Sequence, residues 1–158
     1  MLVAVLTISD TVASGEREDA SGPAVVAACR GLGWEVTSSL RVSDDPAAIR
    51  EQLRTIADSG RVNLILTTGG TGIGPRDNTP ESTTAVADKL IPGLSEEMRR
   101  RGLATAPTAV LSRAVAATRG KTLIINLPGS PKGATESLDA IALLLAHAIK
   151  VLHGARHD

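Results

Sequence analysis

The sequence predicts an α/β protein, a three-layer α/β/α sandwich around a mostly parallel sheet. Short apolar runs alternate with helical patterns along the chain, as strands and helices do in βαβ units. Apolar residues make up 42% of the 158 residues. They are mainly Ala, Val, Leu and Ile, and such an aliphatic core suits parallel strands that are covered by helices. The length predicts one domain over residues 1–158.

The strands are predicted from apolar runs bounded by turn residues. The first follows Met1, and the third, "VNLILTT", is the most strand-like segment of the chain. The predicted strands cover residues 2–9, 34–42, 62–68 and 121–127.

The helices are predicted from their caps and their periodic apolar residues. Pro23 lies in the first turn of one helix, which ends near Gly31 and Gly33. Asp45 and Pro46 are the natural cap and first residue of the next helix. The predicted helices cover residues 21–32, 46–60, 80–89, 94–102 and 132–152.

Composition and charge exclude several classes of function. The seventeen basic residues balance seventeen acidic ones, so no overall field attracts DNA or an anionic membrane. The sequence has Trp34 but no Phe or Tyr, which argues against stacking on single-stranded nucleic acid. No apolar run reaches the roughly 20 residues of a membrane span, and Cys29 has no second cysteine to pair with. We therefore expect a cytoplasmic protein that binds neither nucleic acid nor a membrane.

Polar residues follow the predicted strands at their carboxyl ends. Parallel α/β sheets bind ligands at that edge, and most of the polar chemistry of this sequence lies there. The four segments concerned are Ser9-Asp10, Ser43-Asp44, residues 68–77 and residues 128–132.

The segment after the third strand combines flexible backbone with charged side chains. Glycines allow positive φ and let backbone N–H groups approach an anion, and the dipole of a following helix adds to the attraction. A simple tight turn needs only one or two glycines, whereas this segment has four between residues 69 and 74. We predict that this loop and its neighbours bind an anion such as a phosphate. The candidate residues are Ser9, Asp10, Thr68, Gly69, Gly70, Thr71, Gly72 and Arg76.

Two carboxylates are predicted to act beside this loop. Asp77 follows Arg76, and its alternative role is to cap the helix near Pro80, although Asn78 and Thr79 lie closer to that cap. Asp45 is the expected cap before Pro46, which leaves Asp44 for the site. Carboxylates from two strand ends can hold Mg²⁺ against phosphate oxygens. We therefore predict Asp44 and Asp77 as catalytic residues and Mg²⁺ ligands.

A second wall is predicted from the turn after the last strand, "PGSPK". Glu96 and Arg99 lie three apart on one helix face, where an ordinary ion pair is an equally good interpretation. Ser112 and Arg113 offer a hydroxyl and a guanidinium to an anion. The candidate residues of this second wall are Glu96, Arg99, Ser112, Arg113, Pro128, Gly129, Ser130 and Lys132.

Two common nucleotide-binding motifs do not fit. The residue three positions after Gly72 is Pro75, so the loop does not match GxGxxG. The segment Gly120-Lys121-Thr122 resembles the end of a P-loop, but Val115 occupies the position of its first glycine and a strand follows instead of a helix.

Taken together, the motifs resemble the MogA/MoaB family of molybdenum cofactor biosynthesis, which includes a domain of gephyrin. The matching segments are "TISD", "EDASGP", "VSDD", "TTGGTGIGPRDNTPE", "PGLSEEMR", "LSR" and "NLPGSPKG", in this order over nearly the whole chain. The glycine-rich segment together with "NLPGSPKG" is highly specific.

The resemblance implies a reaction and a role for each matching residue. MogA-like enzymes transfer AMP from ATP to the terminal phosphate of molybdopterin, giving adenylyl-molybdopterin and pyrophosphate. Asp77 and Asp44 match carboxylates held to be essential. Residues 69–72 match the nucleotide and phosphate loop, so the resemblance implies that the candidates around the glycine loop bind ATP and its phosphates. Ser130 and Arg113 match positions that bind the pterin and its phosphate, so it also implies that the candidates of the second wall bind molybdopterin.

The alternative function is molybdopterin binding or scaffolding without adenylyl transfer. The presence of both Asp44 and Asp77 favours the enzyme. Molybdate insertion is expected to belong to a separate protein, to which the product is handed over.

The resemblance also implies a homotrimer, or a hexamer as in some MoaB members. The excursion over residues 91–109 is too long for a simple crossover, and we expect it to pack on a neighbouring subunit. The apolar residues in or next to it are Leu94, Met98, Leu103 and Val110.

Overall fold

The structure is a computed structural model that describes residues 1–156. Within this range, six strands form one sheet: β1 (Leu2–Ile8), β2 (Glu35–Val42), β3 (Leu64–Thr68), β4 (Lys89–Leu90), β5 (Ala116–Arg119) and β6 (Thr122–Leu127). Their order in the sheet is β2-β1-β3-β6-β5-β4. The β1–β2, β1–β3 and β3–β6 pairs are parallel, and the β4–β5 and β5–β6 pairs are antiparallel. The predicted mostly parallel sheet is confirmed.

Helices cover both faces of the sheet. They are α1 (Asp10–Ala13), α2 (Ser21–Gly31), α3 (Pro46–Asp58), α4 (Thr79–Val86), α5 (Pro92–Gly102) and α6 (Pro131–Leu152), with a short 3₁₀ helix at Pro107–Leu111. Alternate residues of β1 point to opposite sides, so that Val5 packs in one core with residues of α2, α5 and α6. Leu6 packs in a second core with residues of α3 and α4. The three-layer sandwich follows from this alternation.

The β5–β6 hairpin and β4 are not predicted by the sequence patterns. Gly120 and Lys121 form a two-residue turn between Arg119 and Thr122, and Gly120 has φ +54°. A glycine with positive φ at the first turn position is typical of a tight hairpin. Lys89, predicted to be helical, pairs instead with Thr118 in the antiparallel edge of the sheet.

The excursion after β4 was expected to pack on a neighbouring subunit. Its first half, α5, packs instead on the core of its own subunit. Leu94 and Met98 of α5 are buried in the same core as Leu138 of α6. The physical reason is that α5 completes the helical layer over β5 and β6. Of the four apolar residues predicted to meet a neighbour, Leu103 and Val110 remain exposed.

Candidate active site

The loops at the carboxyl ends of the parallel strands meet at one edge, as predicted. The backbone N–H of Ser9 donates to the carbonyl of Val42 at 3.0 Å, and that of Gly69 donates to Leu127 at 3.1 Å. The Thr68 hydroxyl donates to the carbonyl of Pro128 at 2.7 Å. These bonds bring the ends of all four parallel strands into one site.

The glycine loop, residues 69–74, has a backbone that larger residues would not fit. Gly69 and Gly70 have φ values of +103° and +67°. A Cβ on Gly69 would collide with the carbonyl oxygen of Ile8, and one on Gly70 with the hydroxyl of Thr79. Gly72 needs no positive φ; a Cβ there would lie 2.8 Å from an oxygen of Asp77.

The loop also presents unpaired donors. In the part of the chain that the structure describes, the backbone N–H groups of Gly70, Thr71 and Gly72 make no hydrogen bond. Successive free N–H groups in a positive-φ turn form a concave site for an anion. The geometry therefore suits a phosphate.

Asp10 and Asp44 are neighbours with opposite electrostatic environments. Each accepts the backbone N–H of the other at 2.9 Å. Asp10 also accepts two hydrogen bonds of 3.0 Å from the Arg76 guanidinium, which lowers the pKa of its carboxyl. Burial, with repulsion from Asp10 and Asp77, raises the pKa of the Asp44 carboxyl despite the N–H it accepts. Asp44 is thus the carboxylate without a dedicated cation.

Asp77 is held by its own loop. One of its carboxylate oxygens accepts the Gly74 backbone N–H at 2.8 Å. Asn78, not Asp77, is the cap residue of α4, and its side chain makes no capping bond. The prediction that Asp45 caps α3 is confirmed, because its carboxylate accepts the Ala48 N–H at 2.9 Å.

Arg113 fixes the far side of the glycine loop. Its guanidinium donates to the carbonyls of Gly72, at 2.7 Å, and Asp77, at 2.9 Å, and pairs with Glu81. Its backbone N–H donates to Thr71 at 2.8 Å. In this structure Arg113 positions the loop, and its predicted contact with the pterin phosphate stays a prediction.

The donor set fits a Mg²⁺ ion that arrives with a nucleotide. Within residues 1–156, no three acidic, His or Cys side chains are spaced to enclose a metal. Arg76 occupies both oxygens of Asp10, which leaves Asp44 and Asp77. Mg²⁺ typically binds one or two carboxylates together with substrate phosphates and water. Asp44 and Asp77 match that requirement.

A cavity of about 380 Å³ adjoins the glycine loop. It lies between α5, the 3₁₀ helix, the start of α6 and the loop itself, and its lining includes Met98, Ala109 and Leu111. Gly72 and Ser130 also belong to this lining, so the cavity opens against the phosphate loop. Its size and largely apolar lining are typical of a small-molecule site.

The structure brings only some of the predicted molybdopterin-binding residues to the cavity. Those that line it are Arg99, Ser112, Pro128 and Ser130, whereas Glu96, Arg113, Gly129 and Lys132 are outside its lining. Arg99 donates to the carbonyls of Ser112 and Ala114 at 3.2 and 3.1 Å, and Glu97 rather than Glu96 forms the helical ion pair, with Arg100. Lys132 is exposed and lies 3.8 Å from Glu136.

The sequence patterns did not indicate five polar residues of the cavity: Ser95, Thr105, Thr108, Glu136 and Ser137. Ser95 is 3% exposed, and within residues 1–156 its hydroxyl has no hydrogen-bond partner. Thr105 donates to Glu136 at 3.1 Å across the space between the end of α5 and α6. The sequence gives only a weak signal for Glu136. It lies four residues after Lys132, a spacing that is typical of an ordinary ion pair on a helix surface.

Comparison with known proteins gives the same assignment as the motifs. A family model described as a probable molybdopterin binding domain matches residues 4–147. The chain belongs to the MogA/MoaB family. Among its relatives, the molybdopterin adenylyltransferase of Helicobacter pylori J99 is 38% identical, with coverage of 96% of this chain and 88% of the relative. The Escherichia coli K12 molybdopterin adenylyltransferase is 39% identical, with coverage of 88% and 72%.

Solved structures of the family share this fold. The molybdopterin biosynthesis enzyme MoaB from Thermus thermophilus is 47% identical, with a TM-score of 0.91 and coverage of 99% of both chains. The Mog protein from Mycobacterium ulcerans is 42% identical, with a TM-score of 0.86 and coverage of 95% and 97%. Within the described residues, no helix has the length and apolar character that crossing a membrane requires.

Proposed function

We propose that this protein is a molybdopterin adenylyltransferase, which transfers AMP from ATP to the terminal phosphate of molybdopterin. An oxygen of that phosphate attacks the α-phosphorus of ATP, the bond to the β-phosphate breaks, and pyrophosphate leaves. The names of the H. pylori and E. coli relatives describe this activity.

The observation that carries the proposal is the contact between the glycine loop and the cavity. Gly72 lines the cavity, and a Cβ on it would lie 2.8 Å from the Asp77 carboxylate. A phosphate in the loop and a ligand in the cavity would therefore have their reacting ends side by side. Holding two reactants together in this way supplies a large part of the rate enhancement in phosphoryl-type transfer.

The chain contributes positioning and charge stabilisation. Free backbone N–H groups of the glycine loop bind phosphate oxygens, and Ser130 lies at the start of α6, where the helix dipole favours an anion. Asp44 and Asp77 would hold Mg²⁺, which supplies neutralisation of the phosphate charges when bound. Arg113 keeps the loop in the shape that these contacts need.

Purified protein incubated with molybdopterin and ATP tests the proposal, with and without Mg²⁺. We expect adenylyl-molybdopterin, detected by mass, in equal amounts with pyrophosphate, and loss of both products when EDTA is added. Bound molybdopterin without any adenylylated product would support the binding or scaffold function instead.

We further propose that the protein forms a homotrimer in the cytoplasm and hands its product to a separate molybdate-inserting protein. The exposed side chains of Leu103, Val110 and Leu111, close together in the chain, support an interface. Light scattering at micromolar concentration should give about three times the 16.3 kDa chain mass. An active monomer would exclude the trimer, and a mass twice as large would indicate a hexamer.

A further inference from the structure

The cavity carries very little charge on its walls. Among the residues that line it, Glu136 is the one acidic residue and Arg99 the one basic residue. Arg99 is engaged by the carbonyls of Ser112 and Ala114. The Glu136 carboxylate is therefore the strongest hydrogen-bond acceptor available to a ligand in this cavity.

Glu136 lies away from the phosphate end of the cavity. It lies six positions after Ser130, which corresponds to about 9 Å along α6 at roughly 1.5 Å per residue. A ligand whose phosphate lies near Ser130 and Gly72 would extend along the apolar wall towards Glu136. The far end of that ligand should carry hydrogen-bond donors.

The carboxylate is held in place but not saturated. One oxygen accepts the Thr105 hydroxyl at 3.1 Å, and the other lies 3.8 Å from the ammonium group of Lys132. An ionised carboxylate accepts about four hydrogen bonds, so acceptor capacity remains. The Glu136 side chain is 38% exposed, which keeps it accessible from the cavity.

A second polar group that lines the cavity is Ser95, which belongs to α5. The buried hydroxyl of Ser95 makes no hydrogen bond in the described part of the chain. A buried polar group without a partner costs free energy, and a polar ligand edge in the cavity would satisfy it.

We propose that Glu136 selects the pterin by accepting hydrogen bonds from the 2-amino group and the adjacent ring N–H of its pyrimidinone edge. This inference rests on the proposed function, since it takes molybdopterin as the ligand. A carboxylate fits two parallel N–H donors of a planar ring in the same way as it fits the two of a guanidinium. Thr105 is a positioning residue that orients the carboxylate.

Binding of two pteridines, pterin and lumazine, shows whether Glu136 recognises the 2-amino group or only contributes to affinity in general. Pterin carries the 2-amino group, whereas in lumazine an oxygen replaces it and would face the carboxylate. Titration of the full chain with each compound should show that wild type binds pterin about tenfold or more tightly than lumazine. Glu136→Gln should reduce the preference to about twofold or less, and Thr105→Val should reduce it partly.

Asp139→Asn is the matched control, because it removes the same charge from an exposed position of α6 that does not line the cavity. It should keep the wild-type preference, and all variants should keep the wild-type affinity for ATP. A wild type that binds both pteridines equally, or a Glu136→Gln variant that still prefers pterin, would overturn the role of Glu136. If adenylyl transfer is still observed, the proposed function survives that result; absence of both transfer and pteridine binding would overturn both.

Discussion

The two halves of the site are built in different ways. The glycine-loop half consists of backbone and charged side chains that are held by specific hydrogen bonds, including those of Arg76 to Asp10 and of Arg113 to Gly72. The cavity half is mainly apolar, and the Ser95 hydroxyl in it has no hydrogen-bond partner among the described residues. In the proposed function this difference is a division of labour: the first half would position and neutralise phosphates, and the second would recognise the pterin by shape and a few polar contacts.

The largest effect is expected from a change in the loop backbone. Gly70→Val should abolish ATP binding, because a β-branched residue resists φ +67° and its Cβ would collide with Thr79. Calorimetry with ATP measures this loss. Molybdopterin binding should remain within about threefold, since Gly70 does not line the cavity.

Gly31→Val in α2 is the control for the glycine change, because no atom beyond its chain neighbours and its own helix backbone lies within 4 Å of the added Cβ. It should bind ATP normally. A folded Gly70→Val variant with unchanged ATP affinity would reduce the loop to a simple turn.

The next largest effect should come from the two predicted Mg²⁺ ligands, Asp44 and Asp77. Asp77→Asn and Asp44→Asn should each lower turnover about 100-fold or more, as removal of a charge-stabilising group typically does. Asp45→Asn, at the α3 cap, should cost about 1 kcal/mol of stability or less and leave turnover unchanged. If Asp45→Asn lowers turnover more than Asp44→Asn does, the catalytic residue is Asp45 and not Asp44.

The thermal stability of the Asp44→Asn variant shows whether Asp44 serves the site or the fold. Its pKa is raised by burial, so the protonated form favours folding and this contribution is lost as pH rises through the folded-state pKa. Asp44→Asn should therefore have a melting temperature at pH 7 equal to or higher than that of wild type. A clear decrease would mean that the carboxylate serves the fold.

A smaller effect is expected from filling the cavity half. Ala106→Leu should weaken molybdopterin binding about tenfold through lost space, with ATP affinity unchanged, because Ala106 lines the cavity. Equilibrium titration with each ligand measures both values. Ala104→Leu, at an exposed position outside the cavity lining, should change neither.

The smallest effect concerns the Asp10–Arg76 ion pair. Arg76 lowers the pKa of Asp10, so its stabilisation is present above the unfolded pKa of about 3.9 and is lost as pH falls through the folded-state value. Both side chains are well exposed and screened by solvent, so Asp10→Asn should lower the stability at pH 7 only slightly. Urea unfolding at pH 7 and pH 3 should show that the difference from wild type shrinks in acid.

Asp58→Asn is the matched variant for this ion pair. Asp58 has its pKa lowered by a bidentate bond with Arg119 and lies away from the loop. It should show the same dependence on pH without any change in ATP affinity. If Asp58→Asn changed the affinity for ATP, the Asp10–Arg76 pair could no longer be distinguished from the Asp58–Arg119 pair as the one that belongs to the site.

The glycine-loop half was more predictable than the cavity half, for a physical reason. Its residues lie directly after strands, and the cap at Asp45 depends on neighbours in the chain, so local patterns place them. The cavity arises from the packing of α5, the 3₁₀ helix and α6, and Glu136 reaches it only because these elements are close in space. The β5–β6 hairpin is not predicted because β5 has only four residues, Ala116–Arg119, and half of them are polar, so it gives no apolar run.

The division of labour is tested most directly by the affinity of Asp77→Asn for molybdopterin, measured beside its turnover. The account predicts a dissociation constant within about threefold of wild type while turnover falls about 100-fold or more. A dissociation constant that rises in proportion to the loss of turnover would show that Asp77 serves pterin binding, and would contradict the separation of the two halves.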